Sequence, residues 1–249
     1  MRVLDLFACE GGAASGYRRA GHDVITVDMD RARLQWNPHP SYRGDALTVL
    51  RTLIAGGSIT DSNGDVWVLR DFDFIHASPP CQGYTRGNAG KVTNWPKLIP
   101  AVRALLDQTG LPYVIENVKD ARPEMLNPVA LCGCMFDLST IDTDGVRIHL
   151  QRLRLFEANW ALKAPRACDH SEHEWVAGAY GGARRDKYEA KYVRKGGYVP
   201  REKAVVAALL GVDHPMTWNG LFECIPPAYS EWVGRQVAAL KKKAKGGKS

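Results

Sequence analysis

The segment Ser78-Pro79-Pro80-Cys81-Gln82 presents a thiol directly after an apolar run, residues 73–77, that reads as a buried strand. A thiolate is soft and partly available near neutral pH, so cysteine in this setting suits nucleophilic attack, conjugate addition above all. The prolines stiffen the approach. Beyond them Gly83, Gly87 and Gly90 are interspersed with Arg86 and Lys91, cations able to meet phosphate. A buried structural cysteine in a proline-rich turn would give the same short string, but two further motifs argue for chemistry. Residues 113–116 form another apolar run, ending in Glu116-Asn117-Val118, and bring a carboxylate to the same sheet edge. Gln151-Arg152-Leu153-Arg154 adds two guanidinium groups, on one face if the chain is extended.

The elements that must position these groups alternate in type. Runs at residues 3–7, 24–27, 73–77 and 113–116 read as strands, and residues 11–21 and 98–106 read as helices. That alternation predicts an α/β fold, an open parallel sheet covered on both faces. Asn63-Gly64 between β-formers predicts a hairpin over residues 58–69. The first strand runs into the glycine-rich turn Asp5-Leu6-Phe7-Ala8-Cys9-Glu10-Gly11-Gly12, where backbone N–H groups can approach a ligand closely. Asp28, at the end of the second strand, can accept both ribose hydroxyls, and Asp45 an adenine amino group. Taken alone, these features point to a nucleoside cofactor or to a mere packing turn.

The chain has 249 residues, 45% hydrophobic, with a net charge of +6, which permits a polyanionic partner without demanding one. It has no run of about 18 apolar residues and no signal-like start, so neither a membrane span nor secretion is expected. Six cysteines without a framework of spacings suit a reduced, intracellular protein.

The strings DLFACEGG, SPPCQGY, ENV, QRLRLF and IPPAYSEWVGRQV, in that order, resemble the DNA cytosine-5 methyltransferase family, most of all its compact bacteriophage-encoded members. The resemblance implies a Rossmann-like S-adenosylmethionine-dependent methyltransferase sheet with a small inserted target-recognition lobe. It implies a catalytic and cofactor-binding part over residues 1–156, the lobe over 157–200, helices returning over 201–240, and a disordered basic tail over 241–249. The implied reaction flips a cytosine out of double-stranded DNA. Cys81 then attacks C6, Glu116 protonates N3, Arg154 contacts O2, and Arg152 braces the catalytic loop or a phosphate, with Gln82 counted beside them. Phe7, Gly11, Gly12, Asp28, Asp45, Pro79 and Leu98 would hold S-adenosylmethionine, and Tyr229 and Ser230 would close its pocket. A monomer in the cytoplasm of a bacterial host is implied. Cys9-Glu10 departs from the usual glycine of the first turn, which narrows the room expected near the methionine moiety and leaves a modified donor open. Asp28 stands where glutamate is commoner.

Within residues 181–203 eight basic residues, Arg184, Arg185, Lys187, Lys191, Arg194, Lys195, Arg201 and Lys203, face three acidic ones, for a net of +5. Interleaved tyrosines and glycines make this stretch suited to DNA phosphates and grooves, although a charge run is also what a solvated face looks like. So small a lobe is expected to read a site of about two to four base pairs. Cys168-Asp169-His170-Ser171-Glu172-His173 invites a zinc reading with Cys132 and Cys134, but it supplies at most three ligands locally and Cys132 and Cys134 read as small core residues, so no metal is expected. The rivals are a cytosine-5 methyltransferase acting on RNA, since residues 78–86 also resemble the tRNA-methylating branch, and a DNA-binding protein without catalysis.

Overall fold

Val3, Leu4 and Leu6 are all buried in β1 (Arg2–Leu6), so this strand lies between two layers. The computed structural model describes residues 1–85, 95–181 and 198–246. After β1 come α1 (Gly12–Arg19), β2 (Asp23–Asp28), α2 (Arg31–Leu34), β3 (Ser41–Arg43), α3 (Ala46–Ile54), β4 (Ser58–Thr60), β5 (Val66–Val68), β6 (Phe74–Ala77), α4 (Ile99–Thr109) and β7 (Tyr113–Val118). The second half contains β8 (Val129–Leu131), β9 (Ser139–Ile141), β10 (Arg147–Leu150), β11 (Arg154–Ala158), β12 (Val176–Ala177), α5 (Lys203–Leu210), α6 (Trp218–Glu223) and α7 (Pro227–Gly246).

The main sheet has seven strands in the order β3-β2-β1-β6-β7-β11-β8. From β3 to β7 it is parallel, as expected, whereas β11 runs antiparallel to both β7 and β8. Strand order reverses between β1 and β6, which opens a crevice beyond their C-terminal ends, the usual ligand position in such sheets. Side chains alternate between two cores. Leu4, Ile25, Ile75 and Ile115 face a layer containing Leu50, Leu53 and Leu106 of α3 and α4. Val3, Val24, Phe74 and Val114 face Ala14 and Tyr17 of α1 and Tyr229, Val233 and Val237 of α7. A Cβ at Gly16 would overlap the Pro227 carbonyl and the Ser230 hydroxyl, so glycine lets α1 and α7 approach closely.

The hairpin forms as β4 and β5, closed by Asp61, which accepts from the backbone N–H groups of Asn63 and Asp65 and from Trp67 Nε1. Two features bear on the expected division of the chain. Helix α7 continues to Gly246, into the stretch 241–249 expected to be a disordered tail; residues 247–249 lie outside the described residues. The second structural layer is also not confined to residues 157–200. The small sheet β12-β10-β9 takes two strands from upstream and packs Ile148, Leu150 and Ala177 on Val206, Leu209 and Leu221 of α5 and α6. No described helix is long and apolar enough to cross a membrane.

Candidate active site

The ends of β1, β2, β6 and β7 border a cavity of about 620 Å³. The expected nucleophile sits on its wall. Strand β6 stops at Ala77, and the chain then turns through Ser78-Pro79-Pro80 to Cys81. Asn117 Nδ2 donates to the Pro79 carbonyl at 2.8 Å, tying this turn to the end of β7. After the thiol, the N–H groups of Tyr84 and Thr85 and the Thr85 hydroxyl all converge on the Cys81 carbonyl. Tyr84 then accepts from the Ile99 N–H at the start of α4. Cys81 is therefore held by both neighbouring elements.

Glu116 is buried in β7 and lines the same cavity. Arg154 Nε, on the adjacent β11, lies 3.3 Å from Glu116 Oε1, which closes no hydrogen bond of its own. Burial pushes the Glu116 carboxyl up, opposed by the charges of Arg154 and Arg152 and by the approach of the Ser78 hydroxyl. Burial likewise pushes the Cys81 thiol up, with Arg154 drawing it down and Glu116 adding to the rise. Beneath them runs a buried chain in which Ser78 Oγ meets His76 Nε2 and His76 Nδ1 meets the Tyr17 hydroxyl, each at 2.7 Å. Burial pushes His76 down to about 3, so it is a neutral relay that fixes Ser78.

Phe7, Gly12, Asp28, Asp45, Pro79, Gln82 and Leu98 also line the cavity. Asp28 is anchored by its own backbone surroundings: one oxygen accepts from Cys9 N–H and the other from Asp30 N–H, both at 2.8 Å. Asp45 caps α3 through Oδ2, which accepts from the Thr48 N–H and hydroxyl. Gly11, Tyr229 and Ser230 do not line the cavity. Gly11 is needed for a left-handed backbone (φ 87°) before α1. Tyr229 donates instead to the Arg152 carbonyl at 2.6 Å, and Ser230 to Pro227 within α7.

Arg152 also differs from expectation. It is fully buried and donates to the carbonyls of Ala179, Phe222 and Cys224, so among the described residues it braces the segments around α6; residues 86–94 of the expected catalytic loop lie outside the described residues. Arg152→Ala would leave two buried carbonyls and one partly buried carbonyl without this donor, and we expect a loss of about 3 kcal/mol or more in urea unfolding. Stability equal to the parent's would contradict this role.

Glu10 joins the first turn to α6. Its carboxylate accepts from Thr217 N–H at 2.7 Å, Thr217 Oγ1 at 2.6 Å and Arg33 Nη1 at 3.0 Å. A Cβ at Gly220 would overlap it. The unusual Glu10 thus directs its polar end to α6, and Arg33 extends the link to Glu223.

Sequence reasoning assigned no role to Asp5, although a carboxylate inside an apolar strand run was a visible signal. Asp5 is 1% exposed, lines the cavity, and neither oxygen closes a hydrogen bond. Burial pushes its carboxyl well up, the Asp28 charge adds to the rise, and the approach of the Ala14 N–H opposes it. An acid raised in this way keeps its proton folded after losing it unfolded. Stability therefore falls as pH climbs above the unfolded value near about 3.9, by up to about 1.4 kcal/mol per pH unit, until the folded value is reached. Asp5→Asn should remove that loss, so its advantage in melting temperature over the ligand-free parent should widen as pH rises above the ordinary carboxylate range. A constant or shrinking difference would contradict the burial argument.

The basic residues expected to touch DNA, Arg86, Lys91, Arg184, Arg185, Lys187, Lys191, Arg194 and Lys195, lie outside the described residues. The expectation of no metal rested on local ligand count, but the fold brings Cys132 and Cys134 beside Cys168 and His170.

No protein-family model matches the chain, and no curated protein matches it in sequence. Solved structures do. A protein described as a DNA modification methyltransferase encoded within an E. coli prophage matches with a TM-score of 0.58 at 14% identity, over 97% of this chain and 99% of its own. The S. pombe Dnmt2 methyltransferase matches with a TM-score of 0.53 at 14% identity, over 98% and 99%. The chain has the fold of these methyltransferases. Its cavity lies at the strand ends of that shared sheet, with Cys81, Glu116 and Arg154 around it.

Proposed function

We propose that this chain transfers a methyl group from S-adenosylmethionine to C5 of cytosine in double-stranded DNA, with Cys81 as the nucleophile. The observation that carries the reading is a thiol on the same cavity wall as a buried carboxyl oxygen, Glu116 Oε1, that closes no hydrogen bond. A cytosine ring offers the matching groups: an electrophilic C6 for the sulfur and, at N3, a basic atom for a protonated carboxyl. As the Cys81 sulfur bonds to C6, the ring electrons move toward N3 and C5. The proton held on Glu116 neutralises the developing charge, which stabilises the transition state. C5 then takes the methyl group, leaving S-adenosylhomocysteine, and loss of the C5 proton to a base with cleavage of the Cys81 sulfur–C6 bond releases the methylated cytosine and restores the thiolate. Arg154 would contact the ring's O2 while keeping Glu116 oriented. A cytosine stacked in a duplex cannot reach this cavity, so the base must be turned out.

The cofactor fits the residues present. Asp5 is buried and borders the cavity with Asp28 and Asp45; a ligand carrying sulfonium and ammonium charges would favour the ionised Asp5 that burial alone disfavours, so the wall suits such a ligand. Asp28 retains lone pairs for ribose hydroxyls, and Leu98 offers an apolar face for adenine. When bound, S-adenosylmethionine supplies the electrophilic methyl group. DNA as substrate is supported by the basic stretch within residues 181–203 and by the fold shared with the prophage DNA modification enzyme. The test is transfer of labelled methyl groups to duplex DNA and, in parallel, to tRNA. Label in DNA supports the reading, label in tRNA alone replaces the substrate, and label in neither from folded protein rejects the activity.

A further inference from the structure

Residues 159–175 join β11 to β12 without regular secondary structure, a long connection that must be held by its side chains. One end is secured by α7: Trp232 Nε1 and Gln236 Nε2 both donate to the Lys163 carbonyl. The other end carries Cys168 and His170, which meet Cys132 and Cys134 of the turn after β8. We infer that these four side chains form a structural zinc site, which pins the connection to the main sheet.

The geometry is that of a small, closed coordination shell. The three sulfurs and one imidazole nitrogen all lie within 4.8 Å of one another. Cys134 Sγ and Cys168 Sγ are 3.3 Å apart, and Cys132 Sγ lies 3.4 Å from His170 Nε2. Zinc bonds of about 2.3 Å to sulfur and 2.0–2.1 Å to nitrogen place tetrahedral ligand atoms about 3.5–3.8 Å apart, so an ion enters with small shifts. All four residues belong to short Cys-x-Cys and Cys-x-His pairs, each pair offering two ligands from one turn. Gly133 between the first two cysteines is needed because a Cβ there would overlap Leu150 of β10.

The surroundings orient the ligands as a metal site requires. His170 Nδ1 lies 3.1 Å from His173 Nδ1, so a proton shared there leaves the His170 Nε2 lone pair directed at the sulfurs. The His173 ring is itself stacked on His149, with centroids 3.9 Å apart. Arg166 donates to the Cys134 carbonyl, holding the turn from outside. Three thiolates and one imidazole select zinc over magnesium or calcium, which prefer oxygen. With four protein ligands the shell is closed, as in structural rather than catalytic sites. Loading releases the three thiol protons to solvent. This site is independent of the methyl-transfer reading and stands apart from the cavity holding Cys81.

The test is elemental analysis of the full chain purified without chelator, followed by anaerobic reloading of stripped protein with cobalt(II). We expect about one equivalent of zinc and, with cobalt, the visible bands of tetrahedral thiolate coordination. Cys168→Ser, at an exposed ligand, should weaken metal affinity about 100-fold or more while the protein remains folded. Folded protein that holds no zinc and gives no tetrahedral cobalt spectrum would overturn the inference. So would zinc retained with parental affinity in folded Cys168→Ser. Because the parent is measured directly, a variant that fails to fold leaves the decision to the metal content and cobalt spectrum.

Discussion

Serine in place of Cys81 should lower methyl transfer by about 1000-fold or more, with folding and cofactor binding retained. The substitution removes one soft nucleophile and leaves the Cys81 backbone carbonyl, which organises Tyr84 and Thr85, in place. A serine hydroxyl is far less acidic than a thiol, so almost no oxyanion would be present to attack C6. The surroundings also predict how the thiol behaves before substrate arrives. Burial pushes Cys81 up, and Arg154 is the main group drawing it back. Alkylation of Cys81 in the ligand-free protein should therefore be slow at neutral pH and accelerate as pH rises. A parental methylation rate in folded Cys81→Ser would remove Cys81 from the chemistry.

Glu116→Gln should lower kcat by about 100- to 10,000-fold, the range for losing a positioned general acid. Glutamine keeps the shape of the side chain but cannot deliver a proton to N3. The pH profile separates this role from simple base binding. In the active state the Cys81–Glu116 pair carries one proton: below Glu116's value it carries two, and above the thiol's value it carries none. Burial raises both groups, so kcat/KM should rise through a limb above the ordinary glutamate value and fall at high pH. The variant should lose the lower limb. A folded variant with parental kcat and an unchanged lower limb would exclude Glu116 as the acid.

Much of the scaffold was legible because it obeys local rules. The runs leading to Phe7, Cys81 and Glu116 are buried on both faces, and unbroken apolar sequence is what such strands require. The Asn63-Gly64 hairpin was legible for the same reason. Residues whose partners are distant in sequence were not. The motif gives Arg152 the catalytic loop or a phosphate to brace, while its described acceptors are carbonyls at residues 179, 222 and 224, far away in sequence. Glu10 looked like an intrusion into the first turn until α6 arrived to use it. Tyr229 and Ser230 face α7's packing rather than the cavity, a matter of helix rotation that no short motif encodes. The four metal-ligating residues come from two turns separated by β9, β10 and β11, and only the tertiary fold counts them together.

The most direct test of the central claim is base-resolution methylation sequencing of DNA from a methylation-free bacterial host expressing this chain, beside the Cys81→Ser variant. Methylation at C5 of cytosine, confined to one short sequence and absent from the variant, is the predicted result. Unmethylated DNA from a host containing folded protein, or the same methylation with Cys81→Ser, would contradict the account.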